Sequence, residues 1–427
     1  MLSTPAYGRC YARLVTSSSE LSMQEQHDVV VIGGGQAGLA MSSVLQQRGR
    51  EHVVLERRRI GERWRTERWD SLRFQFPNWS LQLPGYTYRG NDPDGFAHYS
   101  EILRLLEDYA ASTGAPVREH TEVRSLAGHT TGQGFQVSLV EGSLHARRIV
   151  VATGPFQLPR IPRLAHDIPP SVLQIEPTGY RCPEALPSGG VLVVGSGASG
   201  CQIAEELLHA GRSVYLSLSR HRRAPRRFRG KDVYWWLEAL GRFAQTIESF
   251  PARQYPPSTV VTGVNGGHDV NARQLALDGV KVLGRIIGAD GGNLAVQDNA
   301  NQVLDEADKA YADFLSAARQ FVSNGIEADL AEEEPQEPLP PITVEEVRSL
   351  GLTKGGINTI IWATGYAHDF DWVRIPVFDD RGRPLQQHGV TPIPGLYFLG
   401  LHWMHTFKSG LLSGVGADAE FLVNHMD

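Results

Sequence analysis

Apolar and polar positions along this chain fall into a pattern that occurs twice. Val29-Val-Val-Ile32 is an uninterrupted apolar run, the signature of a strand buried on both faces of a parallel sheet. It leads into Gly33-Gly-Gly35-Gln36-Ala37-Gly38; apolar residues then recur at helical spacing from Leu39 to Leu45, and Arg48-Gly49-Arg50 closes the helix. Val53-Val-Leu55 makes the next strand, with Glu56 at its tip. The same order returns as Val191 to Val194, Gly195-Ser-Gly197-Ala198-Ser199-Gly200, a helix from Cys201 to Ala210 and a strand from Val214 to Leu218. Two more buried strands, Arg148 to Gly154 and Thr359 to Gly365, each close on Ala-Thr-Gly: Ala152-Thr153-Gly154 and Ala363-Thr364-Gly365.

The remaining pattern is more varied. Tyr99 to Ala110 predicts an amphipathic helix, while Val117-Arg118 and Phe135 to Val140 alternate as strands of a small antiparallel meander. Lys231 to Leu240 and Gln302 to Val322 read as helices, and Leu275 to Ile287 contains a strand. Glu332 to Pro341, acidic and proline-rich, reads as a solvated loop. Asn265 to Asp269 reads as a turn, because His268 and Asp269 are adjacent and point apart in an extended segment. The chain ends in a strand, Gly395 to Gly400, and a glycine-rich helix from Ser409 to His425. The fold class is therefore α/β, with two Rossmann-like dinucleotide-binding domains. Residues 1–26 are expected to be a flexible tail, 27–160 and 351–427 the first domain with its meander, and 161–350 the inserted second domain with a helical insert.

Composition narrows the picture. With 427 residues and 41% apolar content the chain can bury a large core in two domains, or three at most, and a net charge of -6 offers no footprint for nucleic acid or an acidic membrane. No apolar run approaches the roughly 18 residues that span a bilayer. Cys10, Cys182 and Cys201 are scattered, with no CxxC or CxxxxC pair, which points to a reducing cytoplasm and away from dithiol redox chemistry. Met23 is an alternative start.

The glycines of a GxGxxG loop play distinct parts. The first makes the turn, the second admits a pyrophosphate, and the third lets helix and strand pack closely. The tips differ. Glu56 can accept both hydroxyls of an adenosine ribose, whereas Ser217, Ser219, Arg220, Arg222, Arg223, Arg226 and Arg227 would welcome a 2′-phosphate, so the second loop is expected to take NADPH rather than NADH. Between the loops, Arg57 to Gly85 is dense in Trp, Phe, Arg and Pro, a suitable wall for a flat heterocycle.

Two such loops with different tips, each matched by an Ala-Thr-Gly strand, resemble the two-dinucleotide-binding-domain flavoproteins. Within them the chain is similar to the class B flavin-containing monooxygenases, a group that includes plant indole-3-pyruvate monooxygenases and Baeyer–Villiger enzymes. That resemblance implies FAD and NADPH as cofactors, and transfer of one oxygen atom from O₂ through a C4a-(hydro)peroxyflavin to a small nitrogen-, sulfur- or carbonyl-containing substrate. It implies cofactor contacts at Gly33, Gly35, Gln36, Ala37, Gly38, Glu56, Arg57, Arg63, Trp64, Val123, Ala152, Thr153, Gly154, Ala363, Thr364, Gly365, Gly400 and Leu411, with Gly195, Gly197, Ala198, Ser199, Gly200, Ser219 and Arg220 on the NADPH side. Gln75 stands where relatives place an Asn before a Pro, and with Arg73 it is the expected catalytic pair; no metal is expected. The family fingerprint ahead of the second loop begins with His, and this chain has Glu176, followed by the expected Tyr180-Arg181. The longer Baeyer–Villiger form of that fingerprint is absent. The expected partners are a small-molecule substrate and O₂, with no nucleic acid and no membrane; a homodimer is left open. The alternative chemistry is an NADPH:acceptor reductase or oxidase without oxygen transfer.

Overall fold

In a computed structural model, residues 25–128, 132–250, 259–325, 330–333 and 342–426 are described. The expected tail before Glu25, and most of the acidic proline-rich stretch, fall outside them.

The first sheet has seven strands. Val117–Arg118, His52–Leu55, Glu25–Ile32 and Ser143–Val151 lie side by side in parallel, and Leu396–Phe398 pairs in parallel with the last of these. Phe135–Leu139 and Val123–Gly128 extend the sheet as an antiparallel meander. Val117–Arg118 is thus an edge strand of the parallel core and not part of the meander the alternation suggested; two residues are too few for a period to declare its partner. Glu25 and Gln26 belong to the first strand, two residues into the expected tail. Val29, Val30 and Val31 are fully buried, as the unbroken apolar run requires, each worth about 1.5–3 kcal/mol relative to an exposed side chain.

The second sheet has five parallel strands in the order Leu173–Ile175, Ile357–Trp362, Gly190–Val194, Val214–Ser217, Lys281–Leu283. Ile357–Trp362 therefore belongs to the second unit, and the expected boundary at 350 and 351 falls inside that unit. The chain re-enters the first unit only after the Ala363-Thr364-Gly365 turn. Both glycine loops precede helices of 12 residues, Gln36–Gln47 and Ala198–His209.

The segment least legible in the sequence joins the two units. Val233–Ala239 and the long helix Ala300–Ser323 share a cluster with Phe228, Trp236, Phe243, Phe314 and Leu315. Tyr234 packs edge-on against Phe76 at 5.0 Å and Trp79 at 5.1 Å, both from the aromatic stretch of the first unit, and its hydroxyl bonds Ser413. The C-terminal helix is Val415–His425; the expected start at Ser409 is a short 3-10 turn, Phe407–Gly410, because Gly414 separates the two. His268 bonds Glu205 and Asp269 faces Arg223, so the two adjacent side chains do point apart.

Candidate cofactor cleft

The two loops share one steric logic. At Gly33, φ is +117°, and a Cβ added there would lie 2.6 Å from the Ala152 carbonyl oxygen; at Gly195, φ is +115° and the Ala363 oxygen would lie 2.3 Å away. Each first glycine is thus pressed onto the alanine of an Ala-Thr-Gly turn. At Gly38 an added Cβ would sit 1.8 Å from the Gly33 oxygen, and at Gly200 it would sit 2.0 Å from the Gly195 oxygen, so the third glycine closes helix on strand. The second glycines are the exception. At Gly35 and Gly197 an added Cβ would meet nothing within 4 Å. Both are N-caps without side-chain caps, and neither helix carries an acid in its first turn, which leaves the terminal N–H groups for an anion. The residues present fit a pyrophosphate at each loop.

The tips behave differently. Glu56 bends back over its loop: Oε2 accepts from Gly34 N at 2.7 Å and Oε1 from Arg58 N at 2.9 Å, which fixes the carboxylate with lone pairs to spare. At the second tip the basic cluster divides. Ser217 is buried and donates to the Gly284 oxygen, Arg223 is drawn to Asp269 and Asp308, and Arg226 is buried on Asp232 at 2.7 Å, so these three are structural and not phosphate ligands. Burial lowers the pKa of Arg222. Ser219 and Arg220 stay exposed at the tip, as does Arg227 on its short strand.

Other expected contacts are engaged as follows. Gln36 donates through Nε2 to the Gly410 oxygen, and Gly400, at φ +78°, lies so close to Ala37 that a Cβ would be 2.5 Å from the alanine's own. Arg63 pairs with Glu67 at 2.7 Å, and Trp64 carries the Arg68 guanidinium over its ring at 4.7 Å. Arg57 is exposed, and Val123 and Leu411 are half-buried in their segments. Arg73 is exposed and donates to the Phe96 oxygen, a contact that holds the loop. Gln75 donates to the Val261 oxygen at 3.2 Å, an acceptor it shares with Gln202 of the second unit at 2.7 Å, and its backbone oxygen accepts from Arg226 at 2.6 Å. Gln75 is therefore pinned where the units meet.

Sequence reasoning missed most of a group that assembles around the two Ala-Thr-Gly turns. Gln157 donates to Thr153 Oγ1 at 2.9 Å and to the Gly154 oxygen at 2.8 Å. The Phe156 ring lies 5.2 Å from both Tyr366 and His402. His402 is open to solvent on one side and closely surrounded by protein on the other; desolvation there, and secondarily His368, push its pKa down to about 4. Burial raises Tyr366, opposed by the nearby Arg68. The available signal was position: Phe156-Gln157 and Tyr366 directly follow the two Gly turns. Tyr180 donates to Glu206 at 3.1 Å, and Arg181 reaches the Arg68 oxygen at 2.7 Å and the Thr66 oxygen, so this dipeptide straps the crossing to the first unit. Glu176 Oε1 accepts from Thr178.

Residues 30–252 match the family model described as pyridine nucleotide-disulphide oxidoreductase. An oxidoreductase of Geobacillus kaustophilus named CzcO-like is 35% identical over 94% of this chain and 99% of its own length. Indole-3-pyruvate monooxygenase YUCCA1 of Oryza sativa subsp. japonica is 30% identical over 43% of this chain and 45% of that protein. A flavin-containing monooxygenase from Stenotrophomonas maltophilia has the same fold, with a TM-score of 0.65 at 18% identity, covering 94% of this chain and 98% of that one. The chain belongs to the pyridine nucleotide-disulphide oxidoreductase family.

Proposed function

We propose that this chain is an FAD- and NADPH-dependent monooxygenase that places one oxygen atom of O₂ on a small nitrogen-, sulfur- or carbonyl-containing molecule. The observation that carries the reading is the pair of congruent glycine loops with unlike tips in one chain. When bound, FAD supplies electron transfer and oxygen activation, and NADPH supplies the hydride. The rest is the protein's work. Gly35 and Gly197, with the uncapped helix ends behind them, receive the two pyrophosphates; Glu56 accepts the FAD ribose hydroxyls; Ser219 and Arg220 grip the 2′-phosphate of NADPH. Phe156, Tyr366 and His402 offer an aromatic surface beside the Ala-Thr-Gly turns against which a flat ring can rest. With a pKa of about 4, His402 is uncharged at neutral pH and offers a hydrogen bond without a charge.

Dithiol chemistry is not part of the proposal, in spite of the family's name. Cys182 and Cys201 are both free; Cys201 is buried, and burial pushes its thiol well above the ordinary range, so it supplies no thiolate. The proposed compartment is the cytoplasm, and among the described residues no helix is long and apolar enough to cross a membrane.

The test follows oxygen. Purified yellow enzyme is given NADPH, ¹⁸O₂ and panels of amines, thioethers and ketones, while NADPH loss, hydrogen peroxide and labelled product are measured together. One compound class should raise NADPH consumption and carry a single ¹⁸O atom per NADPH spent. Peroxide formed mole for mole with NADPH, and no labelled product from any class, would replace this reading with the oxidase.

A further inference from the structure

A second polar group gathers among residues not assigned to the cofactors, where the C-terminal helix Val415–His425 meets two loops. His388 comes from the turn bridged by Gln387 and Val390, His405 from the loop after the strand Leu396–Phe398, and Asp418 from the first turn of the helix. One donor atom of each lies within 4.8 Å of the others. His388 Nε2 is 3.4 Å from Asp418 Oδ1, and the His388 ring is held between His405, at 3.4 Å, and Phe421, at 3.8 Å between centroids.

Two observations separate this group from an incidental surface pair. Asp418 is 4% exposed, and its second oxygen, Oδ2, has no hydrogen-bond partner. A carboxylate buried in that way costs several kcal/mol unless a positive charge meets it, and a histidine at 3.4 Å on the other oxygen leaves half the group unanswered. His388 itself sits at φ +54°, a left-handed conformation that costs a non-glycine residue about 1–3 kcal/mol. The turn is held there by packing: a Cβ on the adjacent Gly389 would lie 2.6 Å from the Phe398 oxygen. The fold thus holds a ring over a half-satisfied carboxylate.

We infer that His388, His405 and Asp418 bind a divalent ion of the zinc class, with water as the fourth ligand. Two imidazole nitrogens and one carboxylate oxygen suit borderline ions such as Zn²⁺ or Co²⁺, whereas Mg²⁺ and Ca²⁺ take oxygen donors. A tetrahedral ion with bonds of about 2.0–2.1 Å holds its donors about 3.4 Å apart, so the widest separation must close by about 1.4 Å. That closure requires the exposed His405 ring to turn out of its stack on His388 and aim a nitrogen at the ion. The ion neutralises Asp418 and ties both loops to the C-terminal helix, whose Val415, Leu422 and Val423 pack in one core with Leu39, Met41 and Val44 of the helix behind the first glycine loop. The site is a structural clamp, and it stands apart from the oxygen chemistry proposed above.

Tag-free full-length protein, stripped with a chelator and still carrying its flavin, is titrated with Zn²⁺ by calorimetry and with Co²⁺ for the visible band of a tetrahedral centre. One equivalent should bind, and the melting temperature should rise with it. His405→Gln alters an exposed side chain, so the variant should fold with unchanged flavin content and bind at least about tenfold more weakly; Asp418→Asn should bind weakly as well. Absence of saturable binding, or equal affinity in His405→Gln and the unaltered protein, would leave only a stacked histidine paired with an aspartate and overturn the site.

Discussion

The two glycine loops differ where it matters for chemistry and agree where it matters for shape. Their backbones meet the same obstacles in the same order, the alanine carbonyl of a neighbouring turn and then the first glycine's own oxygen. Their tips share nothing: one carboxylate bound to backbone N–H groups on one side, and two exposed polar residues beside an inward-turned arginine cluster on the other. Backbone sterics therefore make a general dinucleotide cradle, and a few side chains at the tip decide which dinucleotide enters.

The strongest way to break that comparison is to close each cradle. Gly38→Ala and Gly200→Ala each drive a methyl into a carbonyl oxygen, at 1.8 and 2.0 Å, a clash with backbone that cannot be relieved by side-chain rotation. The expected results are opposite in kind. Gly38→Ala should purify colourless, while Gly200→Ala should stay yellow and lose at least about a hundredfold in kcat/KM for NADPH, or roughly 2.7 kcal/mol. Absorbance spectra and NADPH kinetics of the two variants decide it; loss of flavin from Gly200→Ala would mean that the loops do not act separately.

A second test addresses the seam between the units. Arg226 and Asp232 are buried together, and Arg226 also donates to the Gln75 backbone oxygen. Arg226→Ala strands a buried carboxylate and should cost about 3–5 kcal/mol of unfolding free energy, read from urea melts. Gln75→Ala loses only the bond to Val261 and should cost about 1 kcal/mol. If Gln75→Ala nonetheless abolished oxygen transfer while leaving NADPH oxidation intact, the amide would have to be returned to the reacting centre.

How much of this was legible in the sequence follows from what was local. Val29–Ile32, the glycine spacing and the Ala-Thr-Gly turns each announce themselves within a few residues, so the cradles and their helices could be placed from the chain alone. The allegiance of Ile357–Trp362 could not, because a buried strand carries no mark of which sheet it joins. The same holds for the arginines after Ser219: their charge reads as a phosphate site until Asp269 and Asp308, some 46 and 85 residues further on, are seen to take up Arg223. Tyr366 went unread because its environment is built from Phe156 and Arg68, both distant in the chain.

The tips give a smaller effect that sharpens the comparison. Arg220→Ala should raise the KM for NADPH about tenfold, close to 1.4 kcal/mol, with little change for NADH, and Glu56→Ala should weaken FAD by a similar factor with no effect on nucleotide choice. Steady-state kinetics with both nucleotides, and flavin retention on dilution, separate the two. Equal losses for NADPH and NADH in Arg220→Ala would move the 2′-phosphate contact to Arg227 or Arg222.

The last effect expected is one of pH, and it also divides the units. His402, in the first, has its pKa pushed down to about 4 by desolvation. The unfolded chain takes up that proton near pH 6.5, so between pH 6.5 and about 4 the unfolded state binds more protons and stability falls as the solution is acidified. His268, in the second, has its pKa raised first by its bond to Glu205, so its contribution is complete below pH 6.5 and is lost as pH rises through the raised value. Mild acid should thus soften the flavin side while the NADPH side holds. Flavin fluorescence released on heating at a series of pH values should show a falling midpoint from pH 6.5 downward, and His402→Asn should flatten that limb while His268→Asn leaves it unchanged. An acid limb of the same slope in His402→Asn would place the responsible proton elsewhere, and His402 would lose its claim to set the acid tolerance of the flavin side.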